Sequence, residues 1–97
     1  MDANGARGEV VVPLAGSERR LCLTLGALAE METALGCDGL AALAERMRAL
    51  SARDLIPVLA ALLRGGGEAA LANALGDTAV DPREAAEAVA KAFQAAT

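Results

Sequence analysis

Gly8-Glu9-Val10-Val11-Val12-Pro13-Leu14-Ala15-Gly16-Ser17-Glu18-Arg19-Arg20-Leu21-Cys22-Leu23-Thr24-Leu25 sets the fold class of this chain. The run Glu9 to Val12 is β-branched and too short for a helix, and Arg20 to Leu25 alternates polar and apolar residues with period two. Both read as strands. Between them Ala15-Gly16-Ser17-Glu18 supplies one Gly and small polar residues, which is hairpin-loop chemistry but not the tight Asn-Gly kind. The expectation is an antiparallel hairpin over residues 8–25, with Leu21, Leu23 and Leu25 on one face and Val10 and Val12 across from them. Pro13 cannot donate a ladder bond and belongs on an outward edge or at a bulge. Residues 1–7 are small or polar and read as a frayed lead-in. A lone hairpin is marginal in water, so the rest of the chain must cover its leucine face.

That rest reads as helix. Leu28, Met31 and Leu35 lie three and four apart over residues 26–35, and Gly36 is placed to stop the helix in a left-handed cap. Leu40, Leu43, Met47 and Leu50 repeat the pattern over 39–49. Ser51 and Asp54 form a near capping box for a third helix carrying Leu55, Leu59, Leu62 and Leu63, with Pro57 in its second turn expected to bend it. Gly65-Gly66-Gly67 reads as a flexible break. A short helix over 68–75 follows, and Asp81-Pro82-Arg83-Glu84 is a strong start signal for a last helix whose buried stripe is Ala85, Val89 and Phe93. The fold class expected is α+β: an N-terminal antiparallel β-hairpin followed by a bundle of four to five short α-helices, a single domain over 1–97.

Composition narrows the chemistry. Folding a chain of 97 residues removes only about two thirds of its surface from water. Of the 53 residues counted as hydrophobic, 25 are Ala, which favour helix and bury little area, so the core is thin. With one Phe and no Trp or Tyr there is no aromatic platform for single strands. A net charge of -4 repels phosphate backbones and anionic lipid heads, so no nucleic acid and no membrane is expected as a partner. The start lacks a signal-peptide pattern and no apolar run is long enough to span a bilayer, so the expectation is a cytoplasmic protein.

The absence of His removes the commonest general base and metal ligand. Cys22 and Cys37 have neither the spacing of a zinc site nor a neighbour that lowers a thiol pKa, and read as small hydrophobes. The triple glycine lacks the Lys and Ser or Thr of a phosphate loop, and Glu68 puts negative charge where the anion would sit. Glu30 with Glu32 and Glu84 with Glu87 read as solvated faces, Glu87 being spaced to pair with Lys91. Asp77 and Asp81 lack the spacing of a calcium loop. No nucleophile with a base and no metal set can be named, so the chain reads as non-enzymatic, with no cofactor.

The order of parts resembles a known family. The opening Gly8-Glu9-Val10 strand, the string from Leu21 through Leu23-Thr24-Leu25-Gly26-Ala27-Leu28-Ala29-Glu30 to Ala34-Leu35-Gly36, and Ser51-Ala52-Arg53-Asp54 leading to Leu62, Arg64 and Gly65-Gly66-Gly67 are similar to the small tail protein of gene transfer agents. These are phage-like particles of alphaproteobacteria, and the family has been described both as a tail tube protein and as a tail assembly chaperone. The match spans roughly residues 8–76, with the last helix fitting in kind only. Pro57, inside a helix the family usually keeps unbroken, and Cys37, in a loop, depart from the pattern. The resemblance implies a non-enzymatic role in tail morphogenesis, as a chaperone acting with the tape-measure and tail tube proteins, in the cytoplasm or with the particle. One hairpin is too little sheet for a β-ring, which ranks chaperone above tube subunit. A small helical regulator or adaptor, antitoxin-like and binding one protein partner, is the reading from another class, and a homo-oligomer stays open.

Apolar residues that one thin domain cannot all cover mark the expected partner surface. These are Val11 and Cys22 on the hairpin face away from the leucines, and Ile56 and Leu63 on the outer side of the third helix. At least one of the two patches is expected to be exposed.

Overall fold

A computed structural model describes residues 8–96; the lead-in expected over residues 1–7 lies outside them. Strands β1 (Glu9–Leu14) and β2 (Ser17–Cys22) pair antiparallel, with Val10 opposite Leu21, Val12 opposite Arg19 and Leu14 opposite Ser17. Five helices follow: α1 (Leu25–Leu35), α2 (Leu40–Met47), α3 (Ala52–Gly65), α4 (Ala69–Ala74), which runs into a 3-10 turn (Leu75–Asp77), and α5 (Pro82–Ala95). The fold is α+β, a hairpin followed by helices.

The hairpin differs from its expected form at both ends of β2. Its loop is only Ala15-Gly16, with φ of 53° and 83°, so both residues are left-handed, as in the tight turn that matches the twist of the strands. Ala at the first position hides that turn in the sequence and bears a left-handed cost of about 1–2 kcal/mol. Ala15→Asn is therefore expected to raise stability by about 1 kcal/mol, read as a thermal midpoint higher by about 4–8 °C.

At the other end β2 stops at Cys22, because Thr24 is a helix cap: its Oγ1 accepts the Ala27 N–H at 3.0 Å. Leu25 consequently opens α1, 84% exposed, instead of continuing the strand. The buried hairpin face is Val12, Leu14 and Leu21, not a row from Leu21 to Leu25. Pro13 faces Glu18 and is exposed. With Leu14 and Ser17 closing a two-residue turn, Pro13 falls on an alternate, unbonded pair and costs the ladder nothing.

Helix α3 is the axle of the domain. Ser51 Oγ accepts the Asp54 N–H and the Asp54 carboxylate accepts the Ser51 N–H, a complete capping box, and the helix runs unbroken through Pro57. Every residue from Val58 to Leu63 is buried. Its end is fixed rather than flexible. A Cβ on Gly65 would lie 2.2 Å from the Cys22 carbonyl oxygen, and one on Gly66 2.1 Å from that of Arg20. Only glycine lets the helix end meet the backbone of β2 this closely. Gly67, at φ 88°, turns the chain so that the Glu68 carboxylate accepts the Arg20 backbone N–H at 3.0 Å and lies 3.9 Å from the Arg19 guanidinium. The triplet read as a flexible break is thus the joint between helix and sheet.

The remaining stops and starts follow local chemistry. Gly36 ends α1 at φ 67°, and Asp81 caps α5 by accepting the Arg83 N–H at 2.9 Å. The buried stripe of α5 is Ala85, Ala88, Val89 and Ala92. Phe93, expected on that stripe, is half-buried at its margin, because the small alanines take the tight positions against β1 and α3. Glu30 is not a purely solvated charge: Arg64 of α3 pairs with it on α1 and donates to Asn73 of α4 at 3.0 Å.

Candidate functional site

Arg46, near the end of α2, gathers three elements. Its Nη1 donates to the Leu35 carbonyl at the end of α1 at 2.9 Å, and its Nε and Nη2 grip both oxygens of Asp54, each at 2.9 Å. A fork of this kind is directional as well as attractive. The Arg46 hydrogen bond, with that from the Ser51 backbone, holds the Asp54 carboxyl below the usual carboxylate range, while Asp54 in turn raises Arg46. A lowered carboxylate stabilises the fold above its unfolded pKa, near 4, and that contribution is lost as pH falls through the lower folded value. Acid titration followed by circular dichroism is expected to show less loss of stability below about pH 4 in Asp54→Asn than in the wild type.

That clamp sets α2 against the start of α3, and beside it the domain fails to close. A hollow of about 450 Å³ is lined by Met47, Leu50 and Leu55 on one side and Val89, Ala90 and Phe93 of α5 on the other. A second, of about 320 Å³, continues past the shared Ala52 and Leu55 to Ile56, Leu75 and Val80. A third, of about 260 Å³, shares Met47 and Phe93 and reaches Leu28 and Leu40. Together they make one apolar groove across α2, α3 and α5. Its only charged lining residue is Arg48. The groove stays open because α5 brings Ala86 and Ala90 to it where larger side chains would fill the space, and Leu40 and Ile56 remain 60% and 51% exposed at its two ends. Isolated exposed leucines are ordinary, but a continuous apolar trough is the kind of surface that partners cover.

The four sequence-predicted partner residues fall into two pairs. Ile56 is exposed and lines the groove; Val11 is 48% exposed on the outer face of the hairpin. Cys22 and Leu63 are buried and offer no surface. Cys22 is covered where the end of α3 abuts β2, and Leu63 belongs to the half of α3 enclosed on all sides. The groove's other walls, Met47, Leu50, Leu55 and Phe93, were assigned to buried stripes by their helical spacing. Of the groove's walls the sequence marked Ile56 alone, through an apolar face of α3 too wide for one buried stripe.

Cys22 and Cys37 are not joined in a disulfide, and Cys37 is half-buried with its Sγ 4.0 Å from the Leu35 carbonyl oxygen. Among the described residues no three Cys, Asp or Glu side chains gather, Glu87 and Lys91 form no ion pair, and no helix is long and apolar enough to cross a membrane.

A family model described as "Phage tail tube protein, GTA-gp10" matches residues 7–97. The match runs through the last helix, beyond the residues 8–76 that carried the resemblance. No curated protein and no solved structure matches the chain.

Proposed function

This chain belongs to the phage tail tube protein GTA-gp10 family, a structural family of gene transfer agent tails, and from that membership we propose that it serves as a tail assembly chaperone. It holds the tape-measure protein soluble in the bacterial cytoplasm while tube subunits polymerise around it. The observation that carries this reading is the state of the sheet edges. The outer edge of β2 is taken up by the Glu68 carboxylate and by the close approach of Gly65 and Gly66, and β1 carries Pro13, which has no N–H to give. A tube wall made of continuous sheet needs edges that neighbouring subunits can extend, and this hairpin has little to lend.

The apolar groove suits the chaperone role, because a holding surface must be adaptable and must release its client. Of the four expected contacts, Ile56 and Val11 are kept, Ile56 in the groove and Val11 as a second contact on the hairpin. Co-expression with the tape-measure protein of the same particle tests the role. The tape-measure protein is expected in the soluble fraction, in complex with this chain, and in the pellet without it. Equal solubility with and without the chain, and no complex, would overturn the reading.

A further inference from the structure

We propose that α2 is a hinged lid, latched by Arg46, that swings off the domain as a unit and widens the groove along α5. Leu43 is the one buried residue of its eight, whereas α3 buries six and α5 four. Little apolar area therefore holds it down. α2 packs chiefly on α1, and on the side toward α5 the hollows of about 260 and 450 Å³, both lined by Met47 and Phe93, take the place of a packed interface.

Both ends of α2 suit a hinge. α1 is finished before α2 begins, since the Gly36 and Cys37 N–H groups donate to its last turn, and Asp38 and Gly39 follow exposed, Gly39 at φ 101°. Gly39 is also the N-cap of α2 and has no side chain to cap it, whereas Thr24, Ser51 and Asp81 each hold the start of α1, α3 and α5. At the far end Ala49 and Leu50 lead into the capping box of α3, which Ser51 and Asp54 complete between themselves. Each flanking helix thus keeps its own end when α2 leaves. Besides Leu43, one side chain holds the lid. Among the described residues Arg46 alone bonds α2 to other elements, through Asp54 and the Leu35 carbonyl, while Arg48 pairs with its neighbour Glu45. All three bonds of the latch come from one guanidinium and are lost together. An element with so few buried contacts opens at a lower free energy than the whole domain. Opening removes the α2 wall from both hollows and lays Leu28 and Phe93 bare.

Hydrogen–deuterium exchange of the full chain, read by mass spectrometry at several urea concentrations below the unfolding transition, tests the lid. The amides of Leu43 to Met47 are expected to exchange at least about a hundredfold faster than those of Val58 to Leu63. Their rate should barely change with urea, because lifting one short helix exposes little surface, whereas the rate in α3 should climb steeply. Arg46→Met, with its far-ultraviolet circular dichroism still that of a folded domain, should speed exchange in α2 by about tenfold more. Exchange in α2 with the rate and urea slope of α3 would mean that it opens only when the whole domain unfolds, and overturns the lid. Fast exchange that Arg46→Met leaves unchanged would mean a helix that frays without a latch, and overturns it as well. So does an Arg46→Met chain that fails to fold, since the clamp would then hold the domain and not α2 alone.

Discussion

Gly66→Ala is expected to cost about 3 kcal/mol or more, and in a domain whose whole stability is about 5–15 kcal/mol to leave much of the population unfolded. The added Cβ would sit 2.1 Å from the Arg20 carbonyl oxygen and within 2.8 Å of the Leu21 nitrogen. Both are strand backbone, so no side-chain rotation relieves the clash; either α3 withdraws from β2 or the hairpin shifts. Withdrawal also breaks the Glu68 bond to the Arg20 N–H and uncovers Cys22 and Leu21. Gly65→Ala should behave alike, its Cβ meeting the Cys22 carbonyl. Gly76→Ala is the control, since its Cβ would meet no atom within 4 Å and its φ is not left-handed. Urea titrations of the three variants decide the matter. An unchanged midpoint for Gly66→Ala would mean that α3 does not end against the sheet.

Leu63→Glu and Ile56→Glu are expected to fail in opposite ways. Leu63 has no solvent exposure, and a carboxylate there must be buried without a partner or taken up in neutral form, costing several kcal/mol, enough to unfold the domain. Ile56, one helix with it but two turns earlier, is 51% exposed, so its charged variant should stay within about 0.5 kcal/mol of the wild type. The same variant should lose the tape-measure protein in co-purification. Circular dichroism and co-purification of both proteins read the two outcomes. A folded Leu63→Glu would contradict the packing of α3, and an Ile56→Glu that unfolds would put Ile56 in the core.

What the sequence made legible follows from where local chemistry decides structure. Gly36, the Ser51 and Asp54 capping box and the Asp81-Pro82 start each act on their own neighbours, and the helix boundaries near them could be read directly. β2 was displaced because two local signals were ambiguous: Ala15 adopts a conformation that favours glycine, and Thr24, read as the polar member of an alternating strand, is a cap. The glycine triplet was misread for a different reason. Its need for glycine comes from Arg20 and Cys22, more than forty residues away, and no local pattern reports such a contact. The candidate site was half visible. Ile56 could be named from the width of α3's apolar face, whereas Phe93 and Met47 sit at helical spacings that suit a core equally well. Only the arrangement of α2 against α5 shows that the alanines there leave a trough open.

The copy number of this chain in finished particles tests the chaperone reading most directly. Quantitative mass spectrometry of purified gene transfer particles, set against the major tube subunit, gives it. An assembly chaperone leaves when the tube closes, so the chain is expected to be absent or far below one copy per tube subunit, while cells lacking it make heads without tails. A copy number equal to that of the tube subunit would contradict the account and make the chain part of the tube wall.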